Sequence, residues 1–177
     1  MRSLYLFLAG AIFGPLLDGI HVYTGTLAYE NPDVGVLAWW TPPLFGAAML
    51  AITRGLLATD SLLRRPSRAQ SWREVAIGLA IFIGVYFLSG FWNVGNVAKT
   101  ATFAGAALAA WYGLDKTWQG LVEMALVAIG GCFVESTLVH YGTFHYNAPD
   151  FANIPYWLAP LYLNAALAIG NLARKTK

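Results

Sequence analysis

Four titratable residues lie within or at the edge of long apolar segments of the sequence: Asp18, His21, Lys99 and Glu135. A charge at the centre of a bilayer costs at least about 2.5–3.5 kcal/mol, so an ionisable group in such a segment is a candidate for function. Glu135 is the clearest case, because eight apolar or small residues, 127–134, precede it. We ask what chemistry these groups can perform.

Three kinds of chemistry fit a carboxyl group in an apolar bundle. Glu135 could supply one strong hydrogen-bond partner for a ligand hydroxyl in an otherwise apolar pocket. It could instead act as a general acid with help from Asp18, His21 or His140, as in an intramembrane isomerase or cyclase. The same residues could relay protons in a transporter. The sequence lacks a catalytic motif, and it lacks the matching broken helices that many transporters show.

Other classes of site find little support in the sequence. The histidines His21, His140 and His145 have no HxxH or HxxxH spacing, and one cysteine forms no CxxC pair. We therefore expect no metal and no cofactor. The sequence also contains no GxSxG, Walker or GxGxxG motif, and it has no basic motif for nucleic acid.

The composition places these residues in a membrane protein. Of the 177 residues, 58% are hydrophobic and 11% are charged, and the mean hydropathy is +0.54. A soluble domain has about 25% charged residues, so lipid must cover much of this apolar surface. No cleavable signal is evident, and we take the N-terminal segment as the first span.

Hydrophobic runs long enough to cross a bilayer fill the chain. We therefore expect an all-α protein with a single domain over residues 1–177, built as a six-transmembrane-helix bundle. Its spans lie near 4–23, 36–58, 74–92, 95–113, 118–140 and 155–173. Prolines in Thr41-Pro42-Pro43 and Ile154-Pro155 are expected in the first turns of spans two and six.

Basic residues indicate the orientation of the bundle. They cluster on one side, which the positive-inside rule makes cytoplasmic, together with both termini. These residues are Arg2, Arg64, Arg65, Arg68, Arg73, Lys116, Arg174, Lys175 and Lys177.

With this orientation, Asp18, His21, Lys99 and Glu135 fall in one layer of the outer half. We expect Glu135 to face the bundle and to pair with His21 or Lys99. Glu123, near the inner end, is expected to be solvated. The remaining polar residues are given structural or surface roles: Asn164 and Asn171 as links between helices, and His145 in a surface loop.

From span two onward the chain resembles the insulin-induced gene protein (Insig) family, whose animal members regulate sterol homeostasis in the endoplasmic reticulum. The likeness is carried by motifs in most segments: AWWxPP at 38–43, AIFIG at 80–84, Asn96-Val97, residues 111–115, Leu138-Val139, Gly142, Tyr146, PDF at 149–151, WL at 157–158 and Gly170-Asn171.

The resemblance implies a non-enzymatic bundle that binds a neutral lipid, sterol-like or diacylglycerol-like, and regulates a membrane-protein partner. Family positions tied to sterol response or partner binding carry over to Phe82, Trp111 and Asp115. Two polar positions of the family differ, because Ala98 and Ser136 stand where glutamines occur. The composition suggests a prokaryotic homologue in the cytoplasmic membrane.

The sequence therefore predicts a lipid-binding regulator whose surface permits homo-oligomers. The alternative is a lipid or terpenoid isomerase or cyclase with Glu135 as general acid. The residues expected at the lipid pocket or a partner contact are Asp18, His21, Phe82, Asn96, Lys99, Trp111, Asp115, Glu135, Ser136 and His140.

Overall fold

Helices dominate the computed structural model, which describes residues 2–66 and 70–177. Arg68 of the predicted basic loop lies outside the described residues. The described chain forms six helices and two short strands: α1 (Arg2–Tyr23), β1 (Leu27–Tyr29), α2 (Thr41–Leu62), α3 (Trp72–Phe91), α4 (Asn96–Leu114), α5 (Trp118–His140), β2 (Phe144–Tyr146) and α6 (Leu158–Lys175). The predicted all-α membrane class is confirmed, whereas the small sheet was not foreseen.

Four helices in the described part of the chain are long and apolar enough to cross a membrane: α1 from Ser3, α2, α3 and α5. Large apolar side chains cover their outer faces, as shown by Phe13 on α1 and Phe133 on α5, which are 64% and 71% exposed. Water would solvate such surfaces poorly, so the protein is an integral membrane protein. That α4 and α6 also cross remains a prediction.

Helix α6 forms the centre of the bundle and packs against α2, α3, α4 and α5. Small residues such as Ala165, Ala168 and Gly170 are buried along it, which lets neighbouring helices approach closely. Asn164 is buried as well, and its Nδ2 donates to the Phe103 carbonyl of α4 at 3.0 Å. The predicted helix-linking role of Asn164 is therefore confirmed.

Proline was predicted in the first turn of spans two and six, and the structure confirms this for span two only. Pro42 and Pro43 lie in the first turn of α2, as predicted. Helix α6 begins only at Leu158, so Pro155 precedes it and the expectation for Pro155 is wrong. The chain around Pro155 forms a turn, in which the Leu158 N–H donates to the Pro155 carbonyl at 3.1 Å.

Two further arrangements position the site. Helix α1 packs closely along α2 while α5 packs along α6, and a small cavity lies where the two pairs face each other. Strands β1 and β2 pair antiparallel at the end of the bundle opposite both chain termini, with Leu27 opposite Tyr146 and Tyr29 opposite Phe144. We call this the outer end, in keeping with the predicted orientation. The pairing brings the buried rings of Tyr29 and Tyr146 over the bundle.

Candidate functional site

Glu135, on α5, is held by two tyrosine hydroxyls. Tyr146 on β2 donates to its Oε2 at 2.9 Å, and Tyr162 on α6 donates to its Oε1 at 2.7 Å. The expected pairing with His21 or Lys99 is therefore wrong. The sequence could not show this, because the strand that carries Tyr146 was read as part of a plain loop.

Asp18, on α1, has a similar environment and is only 6% exposed. The Tyr29 hydroxyl donates to its Oδ2, and the Tyr86 hydroxyl donates to its Oδ1 at 3.3 Å. Two carboxyl groups from different helices are thus each bound by a pair of tyrosines. Such hydrogen bonds offset the cost of burying a polar group.

Burial also fixes the state of the tyrosines that come from the sheet. It raises the pKa of Tyr29 and of Tyr146 well above the ordinary value of 10, and the nearby carboxyl groups of Asp18 and Glu135 raise it further. Both hydroxyls therefore remain protonated around neutral pH and act as hydrogen-bond donors to the acids.

A cavity of about 70 Å³ separates the two acids. Asp18, Glu135, Tyr29 and Tyr162 supply its polar wall. Its apolar wall comes from α2, α5 and neighbouring segments, with Trp40, Leu44, Phe45, Ala48, Val134, Leu138 and Phe144. A carboxylate has about four acceptor positions, so the two tyrosines leave acceptor capacity for a donor in the cavity.

His21 is placed behind Asp18 rather than in the cavity. It is 1% exposed, and its Nε2 lies 2.7 Å from the Ser89 hydroxyl. Ser89 donates its proton to the Tyr86 carbonyl at 2.6 Å, so His21 must donate from Nε2. Its Nδ1 lies 4.0 Å from Asp18 Oδ1.

Lys99 and Phe82 complete this outer layer without reaching Glu135. Lys99 Nζ donates to the Ser89 carbonyl at 2.6 Å, and Lys99 is 8% exposed. Phe82 packs edge-on against Tyr86, with ring centroids 6.0 Å apart. The predicted layer is thus divided between a tyrosine–carboxyl cavity and a chain that joins Asp18, His21, Ser89 and Lys99.

Three other predicted site residues lie away from the small cavity. Ser136 donates to the Ala152 carbonyl at 2.8 Å, and His140 is exposed at the end of α5. Asn96 donates to the Ala148 carbonyl at 2.9 Å and to Asp150 at 2.8 Å. Ser136 and Asn96 therefore order the β2–α6 segment, and the structure gives His140 no place in the cavity.

At the inner end of the bundle, which carries both chain termini, charged residues from three helices and two connections form a buried cluster. We call it the inner ion-pair cluster, and it consists of Asp60, Arg65, Asp115, Glu123 and Arg174. Arg65 Nη1 lies 3.0 Å from Glu123, and Arg174 Nε lies 2.8 Å from Asp60. Glu123 is 2% exposed, so the expectation that it is solvated is wrong.

Sequence reasoning used Arg65 to orient the bundle and missed the cluster. A signal was available in the sequence, because three charged residues lie in the end turns of largely apolar helices: Asp60, Glu123 and Arg174. Residues so placed need partners. No group of three His, Cys, Asp or Glu able to hold a metal ion occurs within residues 2–66 and 70–177.

Trp111 and Asp115 shape the α4–α5 connection. Trp111 Nε1 donates to the Thr117 carbonyl at 2.8 Å, and the Thr117 N–H donates to Asp115 at 3.0 Å. Asp115 also accepts from Arg65 and is 2% exposed. Its carboxylate thus joins this connection to the inner ion-pair cluster, and it is not a solvated helix end.

These features define the class of protein: a helical membrane bundle with a partly polar cavity in its apolar interior. The family described as Insulin-induced protein (INSIG) matches residues 1–176, and the chain belongs to this family. The resemblance found in the motifs is confirmed.

Individual relatives support the family assignment. The chain is 28% identical over 181 residues to the insulin-induced gene 1 proteins of Gallus gallus and Homo sapiens. The match covers 98% of this chain and 71% and 65% of those proteins, respectively. The crystal structure of a mycobacterial Insig homologue, MvINS from Mycobacterium vanbaalenii, has a TM-score of 0.83 at 28% identity. It covers 97% of this chain and 92% of that chain, and a cross-linked MvINS trimer gives the same values.

Proposed function

We propose that this Insig-family protein binds a neutral lipid with a hydroxyl group, and that the hydroxyl enters the cavity between Asp18 and Glu135. One observation supports the proposal most strongly. Two carboxyl groups line a cavity whose other walls are largely apolar, and both keep acceptor capacity beyond their tyrosine donors. Binding sites of this kind use a few polar groups to orient an otherwise apolar ligand.

The size of the cavity indicates which part of the lipid it receives. A volume of about 70 Å³ holds a hydroxyl-bearing head but not a sterol or two acyl chains. The apolar body would lie along Leu44, Phe45 and Val134, where α2 faces α5. Val134 is 46% exposed, so this wall continues onto the lipid-facing surface. Lateral entry from the bilayer suits a sterol-like or diacylglycerol-like molecule.

The proposal includes regulation of a membrane partner and self-association. The family assignment supports the first, and the solved trimer of the mycobacterial homologue supports the second. We place both termini in the cytoplasm, with all six helices crossing the membrane. Because Asp115 is enclosed by Arg65 and Thr117, we expect it to act on a partner by holding the α4–α5 connection in shape.

The lipids that remain bound to the detergent-extracted protein test the proposal. Mass spectrometry should detect one enriched, chemically unaltered neutral lipid with the wild-type chain. Glu135→Gln, which keeps the shape but loses acceptor capacity, should lower its retention about tenfold, equivalent to one hydrogen bond to a charged group. Ser136→Ala is the matched control, because its hydroxyl bonds to Ala152 outside the cavity.

Two outcomes would contradict the proposal. Equal retention by the wild type and Glu135→Gln would remove the acid from lipid binding. A mixture of substrate and product whose ratio changes in Glu135→Gln would instead support the isomerase or cyclase alternative. Thermal melting of each variant separates loss of binding from loss of fold.

A further inference from the structure

A second, larger cavity lies at the outer end of the bundle, apart from the site between Asp18 and Glu135. Its volume is about 570 Å³. It lies among the α1–β1, α3–α4 and β2–α6 connections and includes the start of α4. The residues used below are Thr26, Asn93, Asn96, Lys99, Asn147 and Trp157.

The charge of this cavity is unbalanced. Among the described residues that line it, Lys99 is the one lysine, and there is no arginine, aspartate or glutamate. Lys99 is more than nine-tenths buried, and its Nζ donates to the neutral carbonyl of Ser89 and lies 5.8 Å from the centroid of the Trp157 ring. An ammonium group has three N–H donors, so a buried cation is left with spare donors and no described carboxylate as an ion-pair partner.

The start of α4 adds positive potential at the same place. The N-terminal end of a helix carries a partial positive charge. Gly95 occupies the cap position and supplies no side-chain bond, and the first turn contains no acid. A capping side chain or a nearby carboxylate can offset this potential. Here the first helical residue, Asn96, lines the cavity, and its side chain donates to the carboxylate of Asp150, which is not a lining residue.

The other polar side chains that line the cavity are neutral, and exposed aromatic rings line it as well. Asn147 and Thr26 line the polar part. Tyr23 and Phe91, with ring centroids 6.2 Å apart, line the cavity too and are 82% and 46% exposed. Polar side chains beside exposed aromatic rings suit a lipid headgroup, because aromatic residues favour the membrane interface.

We propose that this outer cavity binds a phosphate-bearing anion, with Lys99 as its charged partner. The phosphate of a lipid headgroup and free phosphate share this chemistry. The exposed aromatic residues favour the lipid source. The two cavities share no lining residue, and Lys99 donates to Ser89 rather than to Glu135. They are neighbours, because Tyr146 lines the outer cavity and donates to Glu135.

Calorimetric titration of the purified protein in detergent tests the proposal with three probes: dihexanoyl phosphatidic acid, dihexanoylglycerol and inorganic phosphate. Dihexanoyl phosphatidic acid should bind at this site, with an affinity that falls as salt is raised. Lys99→Met should weaken it about tenfold or more, whereas Lys99→Arg should retain it. Lys175→Met, which removes a lysine at the opposite end of the bundle, is the matched control.

A second variant keeps the test decisive if Lys99→Met fails to fold. Asn93 is exposed and lines the cavity, so Asn93→Asp adds a negative charge at little cost to folding and should also weaken phosphatidic acid binding. If inorganic phosphate binds as tightly as dihexanoyl phosphatidic acid, and both variants lose this binding, the anion site is supported and its ligand is free phosphate. Two results would overturn the proposal: dihexanoylglycerol binding as tightly as dihexanoyl phosphatidic acid, or phosphatidic acid binding Asn93→Asp as tightly as the wild type. Neither result alters the expected effect of Glu135→Gln on neutral lipid.

Discussion

Arg174 is the residue at which the contribution of one side chain to the stability of the bundle can be tested most directly. Its guanidinium contacts Asp60 and Glu123 in the inner ion-pair cluster, and its side chain is 10% exposed. Removing one partner of a buried charge network leaves the others uncompensated, which typically costs about 3–5 kcal/mol. We expect Arg174→Met to lower the thermal melting temperature sharply in detergent.

The control for this variant is Arg73→Met, which removes an exposed arginine and should change the melting temperature little. If both variants melt at the same temperature as the wild type, the cluster does not stabilise the bundle.

At the residue scale, the sequence identified the polar groups better than their partners. Asp18, His21 and Glu135 were found because ionisable groups are costly in apolar segments. Their tyrosine donors were not found, because tyrosine is common at membrane interfaces and Tyr146 was read as part of a loop. Glu123 was misread because depth along a helix does not show which side chains from other helices surround it.

Among the secondary-structure elements, the contact between α1 and α2 depends on small residues. A Cβ added to Gly14 would lie 2.3 Å from the Phe45 ring, whereas a Cβ added to Gly19, in the same helix, meets nothing within 4 Å. Overpacking of this kind costs about 1–3 kcal/mol. Gly14→Ala should therefore lower the melting temperature, and Gly19→Ala should leave it unchanged or raise it slightly.

This pair of variants also tests the position of the cavity. Because Phe45 lines the cavity as well, Gly14→Ala should weaken neutral-lipid retention along with stability. Gly14→Ala as stable as Gly19→Ala would show that α1 and α2 are not packed as described.

Helices were more predictable than the sheet for a physical reason. A helix satisfies its backbone within one apolar segment, so length and composition reveal it. Strands β1 and β2 have three residues each and are separated by more than a hundred residues. Their pairing depends on α1 and α5 ending at the same end of the bundle, which no local sequence pattern indicates.

The orientation of the whole molecule is open to direct test. We expect six crossings, with both termini on the cytoplasmic side. In a Cys132→Ala background, a cysteine at Lys177 should react with an impermeant maleimide only from the cytoplasmic side, and a cysteine at the exposed Tyr141 only from the other side. Reaction of both from one side would show that α6 does not cross as proposed.

Family membership could be recognised from sequence motifs, whereas the location of the proposed ligand site required three-dimensional contacts. The cavity is formed by α1, α2, α5 and α6 together with both strands. No single motif contains these parts, and the 28% identity to the relatives leaves most side chains free to differ.

Photoaffinity labelling tests the central claim most directly. A diacylglycerol with a diazirine in one acyl chain should label residues 44–48 of α2 and 134–138 of α5 in the wild-type protein. The yield should fall about tenfold in Glu135→Gln and stay unchanged in Ser136→Ala. Label spread over the outer faces of α1 and α3, with the same yield in all three proteins, would contradict a neutral-lipid site between Asp18 and Glu135.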